Sequence, residues 1–259
     1  SLTRMNKILE INSKDHMAIV EPGVVNIDLS HSAEKYGLYY APDPSSQKAC
    51  TIGGNVAENS GGPHCLAYGV TTNHILGMEV VLSDGSTQWL GSNTREFQGY
   101  DLRGIMVGSE GTLGIVTKIA VRLLKNPESV RTLLAVFKHI EQASSAVSGI
   151  IAAGIVPAAI EMMDHICISA AEAAVKAGYP QDAGAILLVE VDGLTEEVAE
   201  ETEEIERICD NYNPIEIRKA TSMEDREKLW EGRKGVLGAL GRLAPNYYLV
   251  DGTIPRTKL

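Results

Sequence analysis

The sequence predicts a chain of mixed α and β structure in two units, 1–127 and 128–259. Three observations carry this: short apolar strands around one helix near the start, a hairpin signal before residue 90, and strands alternating with long helices beyond Asn126-Pro127-Glu128. Ile8 to Ile11 and Met17 to Val20 read as strands, and Pro22-Gly23 turns the chain into an amphipathic helix through Val25, Leu29, Ala33 and Tyr36. From His74 to Leu90 two apolar runs flank Ser83-Asp84-Gly85-Ser86, the signature of a hairpin turn. Ile115 to Leu124 alternates apolar and polar residues, as a half-buried strand closing the first unit does.

In the second unit Leu133 to Phe137, Ala158 to Met162, Ala185 to Val191 and Ile215 to Arg218 read as strands. Helices are expected near residues 140–152, 164–177, 195–211 and 222–241. This alternation fits a parallel α/β sheet and equally a ferredoxin-like α+β layer of antiparallel strands. There is no internal repeat and no low-complexity stretch.

Chemistry concentrates in two glycine-rich segments of the first unit. Pro42-Asp43-Pro44-Ser45-Ser46 is followed by Thr51-Ile52-Gly53-Gly54-Asn55-Val56-Ala57-Glu58-Asn59-Ser60-Gly61-Gly62, and Gly108-Ser109-Glu110-Gly111-Thr112-Leu113-Gly114-Ile115-Val116-Thr117 comes some fifty residues later. Glycine lets backbone N–H groups approach a ligand closely, and Asn, Ser and Thr add donors for phosphate oxygens. A helix starting as the chain leaves Gly53-Gly54 would aim free N–H groups and its positive end at a diphosphate near Asn55 and Glu58 to Ser60. The alternative is a glycine-rich turn packed on itself, although turns rarely need five glycines between Gly53 and Gly69. Glu110, in an otherwise uncharged stretch, is read either as a ribose or ring contact or as a helix cap shared with Ser109. Neither Gly-x-x-x-x-Gly-Lys-[Ser/Thr] nor Gly-x-Gly-x-x-Gly between strand and helix occurs, so a P-loop and a Rossmann site are not supported.

Five blocks in order carry a resemblance. They are Tyr39 to Ser46, Gly53 to Asn59, Gly108 to Gly114, Glu161-Met162-Met163-Asp164 and Asp251-Gly252-Thr253-Ile254-Pro255. Together they resemble the flavoproteins with a vanillyl-alcohol-oxidase-type (PCMH-type) FAD-binding domain, and within them the family of bacterial glycolate oxidase subunits and FAD-dependent D-lactate dehydrogenases. The resemblance implies an α+β chain, the C-terminal part of that FAD-binding domain followed by part of a ferredoxin-like substrate cap. It implies noncovalent FAD held by Pro42, Asp43, Pro44, Ser45, Ser46, Thr51, Gly53, Gly54, Asn55, Glu58, Asn59, Ser60, Gly61, Gly108, Glu110, Gly111, Gly114, Ile115 and Val116. Backbone atoms of Ile115 and Val116 would take the polar edge of the isoalloxazine or adenine. Some relatives attach flavin to a cysteine in the region of Cys50, but the subfamily resembled does not.

Arg233 lies beside the apolar stripe of a helix through Leu229, Trp230, Val236, Leu237 and Leu240. Its guanidinium is therefore either snorkelling or buried with an anion, and a planar fork suits a carboxylate. The family's arginine at this Trp-x-x-Arg position binds the carboxylate of a 2-hydroxy acid, and a structural ion pair is the competing role. Leu249 stands where some relatives carry a lysine, which puts a second cationic contact in doubt. Glu161-Met162-Met163-Asp164 reads as structural, with Asp164 capping the next helix.

The implied activity is FAD-dependent oxidation of a small 2-hydroxy acid, glycolate or D-lactate, to the 2-oxo acid with a non-oxygen electron acceptor. The catalytic histidines, and in several relatives a divalent metal, belong to a His-x-Gly-Asp-Gly-Asn-x-His segment expected beyond Leu259. The rivals are an FAD-binding electron-transfer subunit working with iron–sulfur and flavin partner subunits, and a nicotinamide-dependent reductase of the type used in cell-wall synthesis.

Composition is compatible with both. A net charge of -11 opposes nucleic-acid binding, and 44% hydrophobic content fills the cores of a 259-residue globular chain. No apolar run has transmembrane length. The expected location is cytoplasmic, with the periphery of the inner membrane also compatible. Cys50, Cys65, Cys167 and Cys209 are scattered without metal-ligand spacing, as reduced structural thiols are. None of the six histidines forms a ligand pair at helical spacing, and only His64, with Cys65, adjoins a glycine segment.

Overall fold

The computed structural model describes residues 2–94, 99–244, 246, 248–255 and 258. The chain divides into two compact units, Ser1–Asn126 and Pro127–Leu259. The first unit holds β1 (Ile8–Asn12), β2 (Met17–Val20), α1 (Asn26–Glu34), β3 (Leu38–Tyr39), α2 (Ile52–Glu58), α3 (Cys65–Tyr68), β4 (Ile75–Val81), β5 (Thr87–Gly91), α4 (Leu102–Met106), β6 (Ile115–Arg122) and β7 (Leu124–Lys125). Its main sheet runs β1-β2-β6-β4-β5 with antiparallel neighbours throughout.

The hairpin forms where Ser83 to Ser86 predicts it. Leu82 N–H donates to Ser86 O at 2.9 Å, and Gly85 takes the positive φ of +82° that a side chain would resist. Strand β6 departs from the expected pattern in two ways: it is central, and Ile119, Ala120 and Val121 are buried in succession. The reason is that both sheet faces are covered there. Ile119 and Val121 join the core with Leu29 of α1 and Ile52 and Val56 of α2, while Ala120 packs with Met17 and Leu76 on the other face. Helix α1 stops at Glu34, before Tyr36, because the chain turns at Gly37 with φ +68°.

The second unit contains β8 (Ser129–Phe137), α5 (Ile140–Ala152), β9 (Ala159–Asp164), α6 (His165–Val175), β10 (Ala185–Gly193), α7 (Thr195–Asp210), β11 (Glu216–Lys219) and α8 (Met223–Leu240). The sheet order is β11-β8-β10-β9, all antiparallel, which removes the parallel alternative and gives the ferredoxin-like arrangement. Alternate residues of β8 and β10 feed two cores. Leu133, Ala135, Phe137, Leu187 and Val189 pack with α5 and α7, and Leu134, Val136, Ile186 and Leu188 pack with α6 and α8. With helices on both faces, both strands are almost continuously apolar.

The exception on the α8 face is Glu190, whose side chain is 1% exposed. It accepts from Thr132 Oγ1 at 2.6 Å, Arg226 Nε at 2.8 Å and Trp230 Nε1 at 2.5 Å through Oε2, and from Arg226 Nη2 at 2.6 Å through Oε1. Burial disfavours the Arg226 charge, yet the bonds and attraction to Glu190 outweigh it and raise the pKa above the ordinary arginine value. A buried carboxylate satisfied on both oxygens pins α8 to the sheet, whereas removing its cation leaves it unpaired. Arg226→Met should therefore destabilise the second unit by about 3 kcal/mol. Urea unfolding followed by the fluorescence of Trp230 measures this, and an unchanged midpoint would contradict it.

Candidate flavin cavity and the arginines of the second unit

The two glycine segments meet in one cavity of the first unit, of about 300 Å³. Thr51, Gly53 and Gly54 line it from one side and Ser109, Gly111, Gly114, Ile115 and Val116 from the other, with Pro22, Val56 and Met106 among the apolar walls. Two backbone bonds bring the segments together: Gly108 N–H donates to Val56 O at 2.8 Å and Glu110 N–H to Ala57 O at 3.0 Å. The second segment thereby caps the C-terminal carbonyls of α2 with main-chain donors. Gly108 at φ +81°, Glu110 at +52° and Gly111 at +73° shape this turn. Glu110 is exposed and begins no helix, so its backbone rather than its side chain does the capping.

Helix α2 starts earlier than the sequence suggests, with Thr51 as its N-cap. Gly53 and Gly54 thus lie inside its first turn, and Asn59 ends it in a left-handed conformation at φ 50°. Consequently Glu58, Asn59 and Ser60 sit at the negative end of α2, not the positive one. The leading N–H groups are also taken: Ile52 donates to Val24 O at 2.8 Å, Gly53 to Pro22 O at 2.8 Å, Gly54 to Thr51 Oγ1 at 3.2 Å and Asn55 to Thr51 O at 2.9 Å. The cavity therefore presents glycine surface, apolar walls and a strand edge more than a fan of helix amides.

The glycines serve different ends. A Cβ on Gly53 would lie 2.5 Å from Pro22 Cβ, on Gly62 2.5 Å from Asp43 O and on Gly114 2.6 Å from Val80 Cγ1, so these three are demanded by packing. Gly54 meets only Thr51 Oγ1 at 3.3 Å, and Gly111 meets nothing within 4 Å. These two open onto the cavity, which is the property a close-fitting flat ligand needs. On that observation the cavity fits part of an FAD molecule, a ring system between apolar walls and the backbone of Ile115 and Val116.

The other expected cofactor residues lie outside this lining and build its support. Asn55 is 1% exposed, accepts from Asn26 Nδ2 at 3.0 Å and donates to Cys50 Sγ at 3.3 Å, while Asn26 Nδ2 also reaches Pro42 O at 3.0 Å. This network ties α1, α2 and the Pro42 loop together and occupies the Cys50 thiol. Asp43 Oδ2 lies 2.9 Å from His64 Nδ1, joining the loop to the chain after Gly62. Pro44 and Ser46 carbonyls accept turn bonds from Gln47 and Ala49, Ser45 is exposed, and Ser60 O accepts from Thr71. Gly61 lies where a Cβ would stand 2.9 Å from Cys65 Sγ. The sequence reading missed Pro22 and Met106 as walls.

In the second unit Asp164 caps α6, accepting from Cys167 N–H at 2.8 Å, as expected. Burial first, and then Asp164, push the Cys167 thiol up to about 11. Arg233 is held by Glu161, whose Oε2 accepts from Nε at 2.9 Å and from Nη2 at 2.6 Å. Glu161 and Glu190 both point to the α8 face, and Arg226 and Arg233 lie two helical turns apart on α8. The buried Arg226 and Glu190 pair escaped the sequence reading, although Arg226, Trp230 and Arg233 share one helical stripe.

The family description "FAD binding domain" matches residues 1–91, and "FAD linked oxidases, C-terminal domain" matches residues 126–259. Glycolate oxidase subunit GlcD of Escherichia coli strain K12 is 47% identical over 100% of this chain and 52% of its own length. The protein of the same name from Bacillus subtilis strain 168 is 44% identical over 98% and 54%. D-lactate dehydrogenase of Anaerostipes hadrus is 34% identical over 93% and 52%. The chain thus spans about half the length of these relatives. Among solved structures, an alkyldihydroxyacetonephosphate synthase shares the fold with TM-score 0.75 and 21% identity, over 93% of this chain and 46% of that one. A p-cresol methylhydroxylase does so with TM-score 0.73 and 16% identity, over 88% and 50%.

Two glycine variants separate scaffold from cavity. Gly53→Ala drives a methyl into Pro22 and should cost the fold several degrees of melting temperature. Gly54→Ala should leave melting unchanged or raise it, since alanine favours helix by up to about 1 kcal/mol, while weakening FAD binding tenfold or more as read by flavin fluorescence. Equal effects of the two substitutions on melting and on FAD would contradict the assignment. A match of residues 1–91 to an FAD-binding domain and of residues 126–259 to the C-terminal domain of FAD-linked oxidases leads to one conclusion: the chain belongs to the FAD-linked oxidases.

Proposed function

We propose that the protein containing this chain oxidises a small 2-hydroxy acid, glycolate or D-lactate, to the 2-oxo acid and passes the electrons to an acceptor other than oxygen. The observation that carries the reading is the convergence of both glycine segments on one cavity, in a chain 47% identical to a glycolate oxidase subunit and 34% identical to a D-lactate dehydrogenase. In this reading residues 1–127 act as an FAD-binding domain and 128–259 as a substrate cap.

Thr51, Gly54, Ser109, Gly111, Ile115 and Val116 hold the cofactor noncovalently, with Asn55, Asp43, Gly108 and Glu110 shaping the walls from behind. The chemistry that FAD supplies when bound is acceptance of a hydride from the hydroxyl-bearing carbon. Arg233 anchors the substrate carboxylate through a charge-assisted bond, leaving the hydroxyl end for the base that relatives carry in their histidine segment. The name of the bacterial relatives supports a place in a multi-subunit complex; in this reading iron–sulfur and flavin partner subunits would accept the electrons. Cys50, Cys65, Cys167 and Cys209 form no disulfide, which suits a reducing compartment and supports a cytoplasmic location or one at the inner face of the membrane. Among the described residues no helix is long and apolar enough to cross a membrane.

The test is made on the full-length protein. Acid precipitation should release all flavin into the supernatant, and glycolate or D-lactate should reduce an artificial dye. Flavin left in the pellet would implicate Cys50 or a residue outside this chain, and absence of turnover with every 2-hydroxy acid would end the dehydrogenase reading in favour of an electron-transfer role.

A further inference from the structure

The two arginine–glutamate pairs on α8 look alike in sequence but differ in geometry. Arg226 and Glu190 make a closed fork, Nε to Oε2 and Nη2 to Oε1, and Glu190 is also bonded by Thr132 and Trp230. Arg233 places both Nε and Nη2 on a single oxygen, Oε2 of Glu161. Among the described residues Glu161 Oε1 accepts no hydrogen bond and Arg233 Nη1 donates none; Glu161 and Arg233 are 19% and 25% exposed, against 1% for Glu190 and 28% for Arg226. One carboxylate is saturated and buried. The other is half-used and reachable.

We propose that Glu161 is a positioning residue: it grips the Nε side of Arg233 and so turns the Nη1 edge toward a carboxylate ligand. This rests on the substrate reading of Arg233 given above. The physical reason is entropic. An arginine head has many rotamers, and fixing it before binding removes that cost from the ligand's affinity. A guanidinium held through Nε and Nη2 keeps its Nη1 side for a second carboxylate; Arg226 is held through the same two atoms, but its Nη1 lies 3.8 Å from Met223 Sδ. The neighbourhood permits the split. Asp164 accepts from Cys167 N–H at 2.8 Å as the cap of α6, and Glu161 is the carboxylate bonded to Arg233. Glu161 therefore serves binding of the acid and not the chemical step.

The experiment uses the full-length, FAD-loaded protein and four variants: Glu161→Leu, Glu161→Gln, Arg233→Met and Glu161→Leu with Arg233→Met. Flavin absorbance and circular dichroism check folding in each. Expected for Glu161→Leu is a KM for glycolate or D-lactate raised about tenfold with kcat within about threefold, and for Glu161→Gln, which keeps one acceptor oxygen, recovery of most of that loss. In the Arg233→Met background the Leu substitution should change kcat/KM no further, because Glu161 acts only through Arg233. A Leu variant with unaltered KM, a Gln variant no better than Leu, or an additive loss in the double variant would overturn the proposal. If Glu161→Leu fails to fold, Glu161→Ala, alone and combined with Arg233→Met, takes its place in the same comparison. Failure of the underlying substrate reading has a different signature: Arg233→Met itself leaves KM unchanged, or the parent protein turns over no 2-hydroxy acid.

Discussion

The first unit depends on how helix α2 ends. A seven-residue helix leaves its last carbonyls without helical partners, and here Val56 and Ala57 receive the amides of Gly108 and Glu110. Because those donors come from a segment some fifty residues away, satisfying the helix and closing the cavity are one event. The positive φ values of Gly108, Glu110 and Gly111 let successive groups turn from the helix end to the cavity floor. At the other end of α2 the same economy holds: Pro22 O and Val24 O take the first amides, so the helix is bound into the chain at both ends.

The second unit is organised by charge held against a sheet. An almost continuous apolar face of β8 and β10 carries one buried carboxylate, and α8 meets it with a fork of donors from Arg226 and the indole of Trp230. Glu190 costs a large desolvation unless each oxygen is satisfied, so the helix has one register that works. In the neighbouring Arg233 and Glu161 pair the carboxylate is 19% exposed rather than 1%, so it carries far less of that constraint and can be put to use.

Much of this was legible in the sequence. The strands and helices of both units follow the apolar periodicity closely, and Ser83 to Ser86 and Asp164 mark a turn and a cap through local chemistry that needs no tertiary knowledge. The two segments that line the cavity were also legible, since glycine clusters report close approach of something. What they approach was not. Gly53, Gly62 and Gly114 yield to Pro22, Asp43 and Val80, contacts made across the fold, whereas Gly54 and Gly111 face the cavity with little against them. Asn55 reads as a ligand donor but is spent on Asn26 and Cys50, because a side chain's partner is fixed by topology rather than by spacing. The central place of β6 and the buried Glu190 were hidden for the same reason.

The central claim is that Thr51 to Ala57 and Ser109 to Val116 together enclose FAD. Hydrogen exchange measured by mass spectrometry on the full-length protein, with flavin bound and after its removal, tests this most directly. The account predicts slower exchange with FAD in peptides covering both stretches. In the flavin-free protein the Gly108 and Glu110 amides should already be slow, since α2 holds them. Unchanged exchange in both stretches, with protection appearing elsewhere in the chain, would contradict it.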